Sequence, residues 1–249
     1  MVVWQGVLIA LAGLWAGMIN TVVGSGTLVT FPVLVALGYP PVTATTSNAI
    51  GLISGTITGA YGYRHELVGQ RHRLLRYGVA SFFGAIGGTV LLLSLPADAF
   101  ESIVPVLVGL SVVLVAVQPL LAKRLGGGSG SSRSGPLLYG LIFAIGIYGG
   151  YFTAAQGIML VGVMGLLLTD PLQRLNAFKN ALAGVVNIVA GVIYAFVAPI
   201  SWPVVAVLAV SSTVGGLLGA KIGRKFPPVV LRVIIVIIGA AAIVDLLLQ

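Results

Sequence analysis

Apolar runs long enough to cross a bilayer limit what this chain can fold into. About 20 consecutive apolar residues span a hydrocarbon core of about 30 Å, and eight such runs can be drawn in the sequence. They lie at 3–22, 42–63, 74–95, 102–121, 136–152, 175–197, 203–222 and 229–248. Charged residues make up only 7% of the chain, against about 25% in soluble domains. The sequence therefore predicts an all-α polytopic membrane protein with about eight transmembrane helices, and it argues against a soluble enzyme or a nucleic-acid partner.

Two further apolar pieces, at 28–37 and 158–168, are too short to span. As a helix, each would cover about 15 Å, which is half a bilayer. We predict two short re-entrant half-helices, each forming a hairpin with the long helix before it. Irregular backbone at such a break is tolerated in a membrane only where protein or a water-filled cavity satisfies its polar groups. The breaks therefore predict a cavity.

The two halves of the chain resemble each other. A shift of 132 residues pairs Asn48 with Asn180 and Gly84 with Gly216. We expect a first transmembrane repeat at 1–121, a Gly/Ser-rich cytoplasmic linker at 122–135 and a second transmembrane repeat at 136–249. Because each half has an odd number of segments, the second would run opposite to the first. Two inverted repeats of this kind are common among secondary transporters.

The distribution of charge predicts the orientation in the membrane. Short cytoplasmic loops carry an excess of Lys and Arg. One alternation of the segments places all 13 Lys and Arg residues on the cytoplasmic side. Asp98, Glu101 and Asp245 then fall on the opposite side. We therefore predict a multi-pass protein of the plasma or inner membrane with both termini outside.

The first break is the strongest candidate for a binding site. A half-helix that begins at Thr27 or Leu28 directs unpaired N–H groups and its positive dipole end toward the break, which suits a small anion. The candidate substrate-binding residues are Asn20, Gly24, Ser25, Gly26 and Thr27 at this break, and Gln156 and Gly157 at the second. The alternative is that the glycines and Ser25 only permit a tight turn.

Polar residues also follow each half-helix. They are Thr45, Thr46, Ser47 and Asn48 in the first half, and Asn176, Asn180 and Asn187 in the second. Facing the cavity, their hydroxyls and amides would replace part of the hydration of an anion. Hydrogen bonding between helices, worth about 0.6 kcal/mol on average, is the alternative.

Lys179 is the most distinctive single residue. In a helix that starts at Pro171 with Asp170 as its N-cap, Lys179 lies about 12 Å along the axis, close to the midplane at about 15 Å. An ionisable residue at this depth indicates function by default, and a lysine near two helix ends would complement an anion. Snorkelling to the interface, or pairing with Asp170, remains open.

Catalytic chemistry has little support in the sequence. The chain has no cysteine, both histidines lie between predicted spans, and no predicted helix carries a central Asp or Glu. The chain therefore cannot assemble, at membrane depth, a serine or cysteine nucleophile with its histidine, an aspartyl protease site or a carboxylate metal centre. We predict no enzyme activity, no metal and no cofactor.

Several of these features resemble one known family. The first helix with its Gly-containing break and Pro32, the helix start at 44–47, and Lys179 with Asn187 are similar to the sulfite exporter TauE/SafE family. The resemblance covers nearly the whole chain. It implies about eight transmembrane helices in two repeats, and transport of sulfite, sulfonates and other sulfur-containing or organic anions. By position, it implicates 24–26, 45–47 and Lys179.

The leading hypothesis is a secondary transporter that moves small anions by alternating access of the two repeats. Its expected partners are a small anionic substrate and the lipid bilayer. A passive anion channel and a non-transporting membrane scaffold subunit are the alternatives. The sequence leaves open which anion moves, in which direction, with which coupling ion, and whether the protein forms a homo-oligomer.

Overall fold

The computed structural model describes residues 2–125 and 135–222, together with 233, 235–238 and 240. Within those residues the fold is all-helical. The helices are α1 (Val3–Val22), α2 (Thr27–Ala36), α3 (Pro41–Gly51), α4 (Ile53–Gly62), α5 (Arg71–Ser94), α6 (Ala97–Leu125), α7 (Pro136–Tyr151), α8 (Gln156–Leu167), α9 (Leu172–Val197) and α10 (Trp202–Ile222). A 3₁₀ turn at Arg64–Leu67 precedes α5. The glycine- and serine-rich run at 126–134 and most of the predicted segment at 229–248 lie outside the described residues.

Five of the described helices are long and apolar enough to cross a membrane. They are Val3–Val22, Arg71–Ser94, Ala97–Val117, Leu172–Val197 and Trp202–Lys221. Each matches one of the predicted spans, whereas α7 is apolar but has only 16 residues. Large apolar side chains such as Phe196 and Val210 remain exposed on the outside of the bundle. The polytopic helical fold is thus confirmed, and the count of eight spans is not.

The prediction of one helix over 42–63 is wrong, because the segment divides at Leu52 into α3 and α4. The Leu52 N–H still donates to the Asn48 carbonyl (2.9 Å). At the division, the Ser212 hydroxyl of α10 donates to the Gly51 carbonyl (3.0 Å). A side chain that bonds to the backbone ladder from a neighbouring helix is a known cause of helix interruption.

The two predicted half-helices are confirmed as α2 and α8, with 10 and 12 residues. A Schellman motif ends α2: the Gly38 N–H donates to the Val35 carbonyl (2.8 Å) and the Tyr39 N–H to the Leu34 carbonyl (3.1 Å). The motif requires a left-handed residue, and Gly38 has a φ of +86°. The chain then turns directly into α3, which starts at Pro41, where a proline fits the first helical turn.

Two helix pairs form the most extensive contacts, α1 with α10 and α5 with α7. Their backbones touch through glycines. A Cβ on Gly84 would lie 2.3 Å from the Phe143 carbonyl oxygen, and one on Gly88 would lie 1.9 Å from that of Ile147. Gly17 meets the α10 backbone in the same way, at 2.2 Å from the Ser212 oxygen. Small residues four apart thus permit the backbone approach typical of membrane helices.

Aromatic contacts connect the half-helices to the rest of the bundle. Phe31 of α2 packs edge-on against Phe152, which directly follows α7, with ring centroids 5.2 Å apart. Phe100 of α6 contacts Phe152 in turn, at 6.2 Å. All three rings are buried. This cluster holds the end of α7 against α2 and so brings the two breaks together.

We predict that Gly88→Ala destabilises the protein, because the new methyl group would collide with the α7 backbone. Overpacking of this kind costs about 1–3 kcal/mol. The matched control is Gly78→Ala on the same helix, where a Cβ meets nothing within 4 Å. There the better helix propensity of alanine should leave stability equal or slightly higher. Thermal unfolding in detergent measures both, and equal midpoints for the two variants would contradict the close contact.

Candidate functional site

The two breaks in the helical hairpins lie in direct contact. The Gly157 N–H, in the first turn of α8, donates to the Gly24 carbonyl (3.1 Å). A Cβ on Gly24 would lie 2.7 Å from the Gly157 Cα, and one on Gly157 would lie 2.6 Å from the Gly24 Cα. Gly24 also has a φ of +95°. Only glycine fits at both positions, and a side chain on either would separate the hairpins.

Lys179 packs across this contact and binds the end of α1. Its Cδ lies 3.1 Å from where a Cβ of Gly24 would be. Its ammonium donates to the carbonyls of Asn20 (3.0 Å) and Thr21 (2.9 Å), and the Asn180 amide donates to Thr21 as well (3.2 Å). These carbonyls belong to the last turn of α1. The ammonium therefore compensates the negative end of that helix dipole.

Lys179 is 1% exposed and has no ion-pair partner among the described residues. The alternative partner, Asp170, binds Arg73 (3.2 Å) and Arg174 (3.1 Å) instead. The Arg73 guanidinium, helped by Arg174, holds the pKa of the Asp170 carboxyl below its ordinary value. Asp170 is also not the predicted N-cap, because α9 begins at Leu172 with Pro171 at that position. The described contacts therefore leave the charge of Lys179 balanced only by carbonyl dipoles.

The N-terminal end of α2 is buried, but it is open in the sense that its first N–H groups lack an acceptor among the described residues. Gly26 is its N-cap and makes no side-chain cap hydrogen bond. The first backbone hydrogen bond runs from the Leu28 N–H to the Ser25 carbonyl (3.1 Å), so the preceding N–H groups, including that of Thr27, lie outside the helical ladder. The Ser25 hydroxyl is buried and has no hydrogen-bond partner in the part of the chain that the structure describes. These groups are donors suited to an anion.

The N-terminal end of α8 is different, since its first-turn donors are already used. The Gly157 N–H binds the Gly24 carbonyl, and the Ile158 N–H binds the Ala155 carbonyl (3.0 Å). Ala155 adopts a left-handed conformation, with a φ of +56°. Gln156 is fully buried, and neither polar atom of its side chain has a hydrogen-bond partner within the described ranges. The two ends therefore differ in their backbone donors, because the Gly157 N–H is bonded to the other break whereas the N–H groups that precede Leu28 lie outside the helical ladder.

Asn48 connects α3 to the open end of α2. Its amide nitrogen donates to the Thr27 hydroxyl (3.1 Å), and its amide oxygen accepts from the Thr30 hydroxyl (2.5 Å). All three side chains are buried. Because the Thr27 hydroxyl oxygen accepts a hydrogen bond from Asn48, the hydroxyl proton of Thr27 points away from that amide. Asn48 thus orients a further donor at the first turn of α2.

Thr56 is a site residue that the sequence analysis missed. Its hydroxyl oxygen accepts from the side-chain amides of Asn20 (3.2 Å) and Asn187 (3.1 Å), and its proton goes to the Leu52 carbonyl (2.8 Å). Thr56 therefore joins α1, α4 and α9. Asn48 and Thr56 lie in different helices, α3 and α4, and no local pattern in the sequence connects Thr56 to Asn20 or Asn187.

Two predicted site residues bind another part of the fold. The Thr46 hydroxyl donates to the Pro199 carbonyl (2.6 Å), and the Ser47 hydroxyl accepts from the Ser201 N–H (2.9 Å). Both therefore hold the connection between α9 and α10. Thr45 is buried with an unpartnered hydroxyl, and Asn176 is half-buried near the start of α9. The predicted residues that gather at the breaks are Asn20, Gly24, Ser25, Gly26, Thr27, Asn48, Gln156, Gly157, Lys179, Asn180 and Asn187.

Sequence comparison assigns the chain to a family. The sequence profile described as Sulfite exporter TauE/SafE matches residues 9–246. The chain belongs to the TauE/SafE family. It is 28% identical over 239 residues to the probable membrane transporter protein YfcA of Escherichia coli K12, covering 93% of this chain and 86% of YfcA. A probable membrane transporter protein of Haemophilus influenzae is 24% identical over 227 residues, covering 90% and 88% of the two chains.

A third relative, the probable membrane transporter protein ORF9 of a Sinorhizobium species, is 24% identical over 236 residues. The alignment covers 93% of this chain and 88% of the relative. Together with the apolar helices, these relatives identify a multi-pass membrane transporter of the TauE/SafE family. The resemblance found in the sequence is thereby confirmed.

The contact between the breaks yields a direct test. We expect Gly157→Ala to weaken it, because the methyl group would overlap the Gly24 Cα. Thermal stability should fall by about 1–3 kcal/mol. Gly162→Ala on the same half-helix is the matched control, since a Cβ there meets nothing within 4 Å. If both variants unfold like the parent protein in detergent, the two breaks are not in contact.

Proposed function

We propose that this TauE/SafE protein is a secondary transporter for small anions such as sulfite, sulfonates or related sulfur-containing or organic anions. Substrate would bind at the open N-terminal end of α2, between Ser25 and Lys179. The observation that carries the proposal is the buried ammonium of Lys179, which lacks a counter-charge among the described residues. An uncompensated buried charge is costly. An anion bound there would supply the missing charge.

The packing of the helices supports two inverted repeats. The shift of 132 residues places α1 on α7 and α5 on α10. It thus exchanges the two most extensive helix pairs, α1 with α10 and α5 with α7. Such an exchange is expected when two copies of one unit interlock around a pseudo-two-fold axis. Rocking of one repeat against the other would then expose a site between them to each side in turn.

The state of the breaks favours a carrier over an open pore. Gly24 and Gly157 are in backbone contact, and Lys179 fills the space beside them. The side chains of Ser25 and Lys179 are each 1% exposed. An open channel would leave such groups in contact with water. Alternating access instead includes an occluded state in which they are buried.

The proposal is tested by anion-induced charge movement in proteoliposomes, with sulfite, sulfate, thiosulfate, short sulfonates and carboxylates at fixed pH. We expect a saturable response that Lys179→Ala abolishes and Ser25→Ala weakens by about tenfold in half-saturation, the loss of one hydrogen bond to a charged group. Lys221→Ala and Ser102→Ala, both at exposed positions, are controls that should respond like the parent.

Each other result has a distinct meaning. Unchanged flux and affinity in both Lys179→Ala and Ser25→Ala would refute this site. A response that does not saturate and shows no counterflow would indicate a passive channel. Absence of any response from correctly folded protein would favour the non-transporting scaffold. Detergent chromatography and thermal unfolding confirm folding of each variant.

We also propose that the protein resides in the plasma or inner membrane with both termini outside. The chain has no cysteine, so a single introduced cysteine can be labelled without background. A membrane-impermeant maleimide applied to intact spheroplasts should label Ala97→Cys, and should label Val68→Cys only after permeabilisation. Both positions are exposed, and each flanks α5. The reverse pattern would show the opposite orientation.

A further inference from the structure

The charge of the site limits the charge of its substrate. Lys179 is a cation within the span of α9, and α1, α2, α3, α4, α8 and α9 contain no Asp or Glu. Arg174 lies on the same helix but is committed to Asp170. Among the residues that the structure describes, the full charges at the breaks therefore sum to one positive charge.

Helix dipoles do not change this sum. Each break joins the C-terminal end of one helix to the N-terminal end of the next, α1 to α2 and α7 to α8. The ends carry about −0.5 and +0.5 of an elementary charge respectively. The two contributions within each hairpin therefore nearly cancel. What remains is the ammonium of Lys179 and a set of neutral donors.

The donors that remain are few. The ammonium has three N–H groups, and two are bound to the carbonyls of Asn20 and Thr21. The third has no acceptor among the described residues. The Ser25 hydroxyl, the N–H groups that precede Leu28 and the hydroxyl proton of Thr27 complete the set. Such a set matches one small oxyanion headgroup.

We infer that the site accepts anions that carry one negative charge, such as sulfonates or singly protonated sulfite, and discriminates against dianions of the same shape. The inference rests on the proposed function. A bound monoanion neutralises Lys179, and the occluded site then holds no net charge. A dianion would leave one negative charge buried without a counter-ion, and the penalty for a buried uncompensated ion is large.

Methanesulfonate and methylphosphonate provide a matched pair of probes. The two have nearly the same shape, and methanesulfonate remains a monoanion throughout the neutral range. Methylphosphonate changes from a monoanion to a dianion as the pH rises across neutrality. The experiment measures how well methylphosphonate competes against uptake of radiolabelled methanesulfonate into proteoliposomes, at one pH below and one pH above that transition. The comparison isolates the effect of the ligand's charge. Uptake of methanesulfonate alone at each pH corrects for titration of the protein.

We expect methylphosphonate to compete with an affinity similar to that of unlabelled methanesulfonate at the lower pH, and about a hundredfold more weakly at the higher pH. Sulfate, a dianion at both values, should compete weakly throughout. Lys179→Arg should keep this preference, because it keeps one positive charge. Lys179→Gln should lose saturable uptake, and the exposed Lys221→Gln should behave like the parent.

Three outcomes would overturn the inference in different ways. Equal competition by methylphosphonate at both pH values, or by sulfate and methanesulfonate, would show an anion site without charge selection and leave the proposed function intact. No saturable uptake of either methanesulfonate or sulfite by folded protein would remove the proposed function and the inference together. Retention of the full monoanion preference in folded Lys179→Gln would also refute the role of this charge.

Discussion

The bond between the Lys179 ammonium and the last carbonyls of α1 organises the centre of this protein. A charge at this depth needs partners, and the end of a helix offers carbonyls that lack donors of their own. The side chain reaches them by passing over Gly24 and Gly157. Both glycines are required because any Cβ would occupy the path of the lysine or the opposing backbone. One interaction thus explains the position of α9, the contact of the breaks and the absence of side chains between them.

The contact between the two breaks makes the two half-helix ends unequal. At α8, the Gly24 carbonyl takes up the Gly157 N–H, and the first turn is satisfied by protein. At α2, the N–H groups that precede Leu28 lie outside the helical ladder, and the Ser25 hydroxyl has no hydrogen-bond partner among the described residues. The two half-helix ends therefore differ in the hydrogen-bond donors that they leave without an acceptor among the described residues.

Around this centre, the bundle is held mainly by backbone contact. Lipid is as apolar as the side chains it surrounds, so apolar burial does little to join helices in a membrane. The chain instead places glycines where α5 meets α7 and where α1 meets α10. Hydroxyls add bonds to backbone carbonyls of other helices, as Ser212 does to Gly51 and Thr46 to Pro199. These bonds rigidify the frame without placing further charge inside it.

The amino-acid sequence alone was sufficient to predict the helical membrane fold, the two half-helices and the placement of Lys179 inside the bundle. These predictions rest on local properties: the length of an apolar run, a break at glycine and the position of a lysine along a helix. In a bilayer, each of these properties has a direct structural consequence. The family membership also followed from motifs in the chain. The division at Leu52 did not, because it coincides with a hydrogen bond from Ser212, which lies far away in the sequence.

Only the tertiary structure decided the partners of the polar groups. Asp170 satisfies the rules for a helix cap, yet it binds Arg73, which is 97 residues away and unpredictable from local pattern. Thr46 and Ser47 belong to a promising cluster, yet they hold the connection after α9. Thr56 joins Asn20 and Asn187 although nothing adjacent to it in the chain indicates this. The sequence determines which groups must find partners in the membrane, and the packing of helices distant in the chain determines which partners they find.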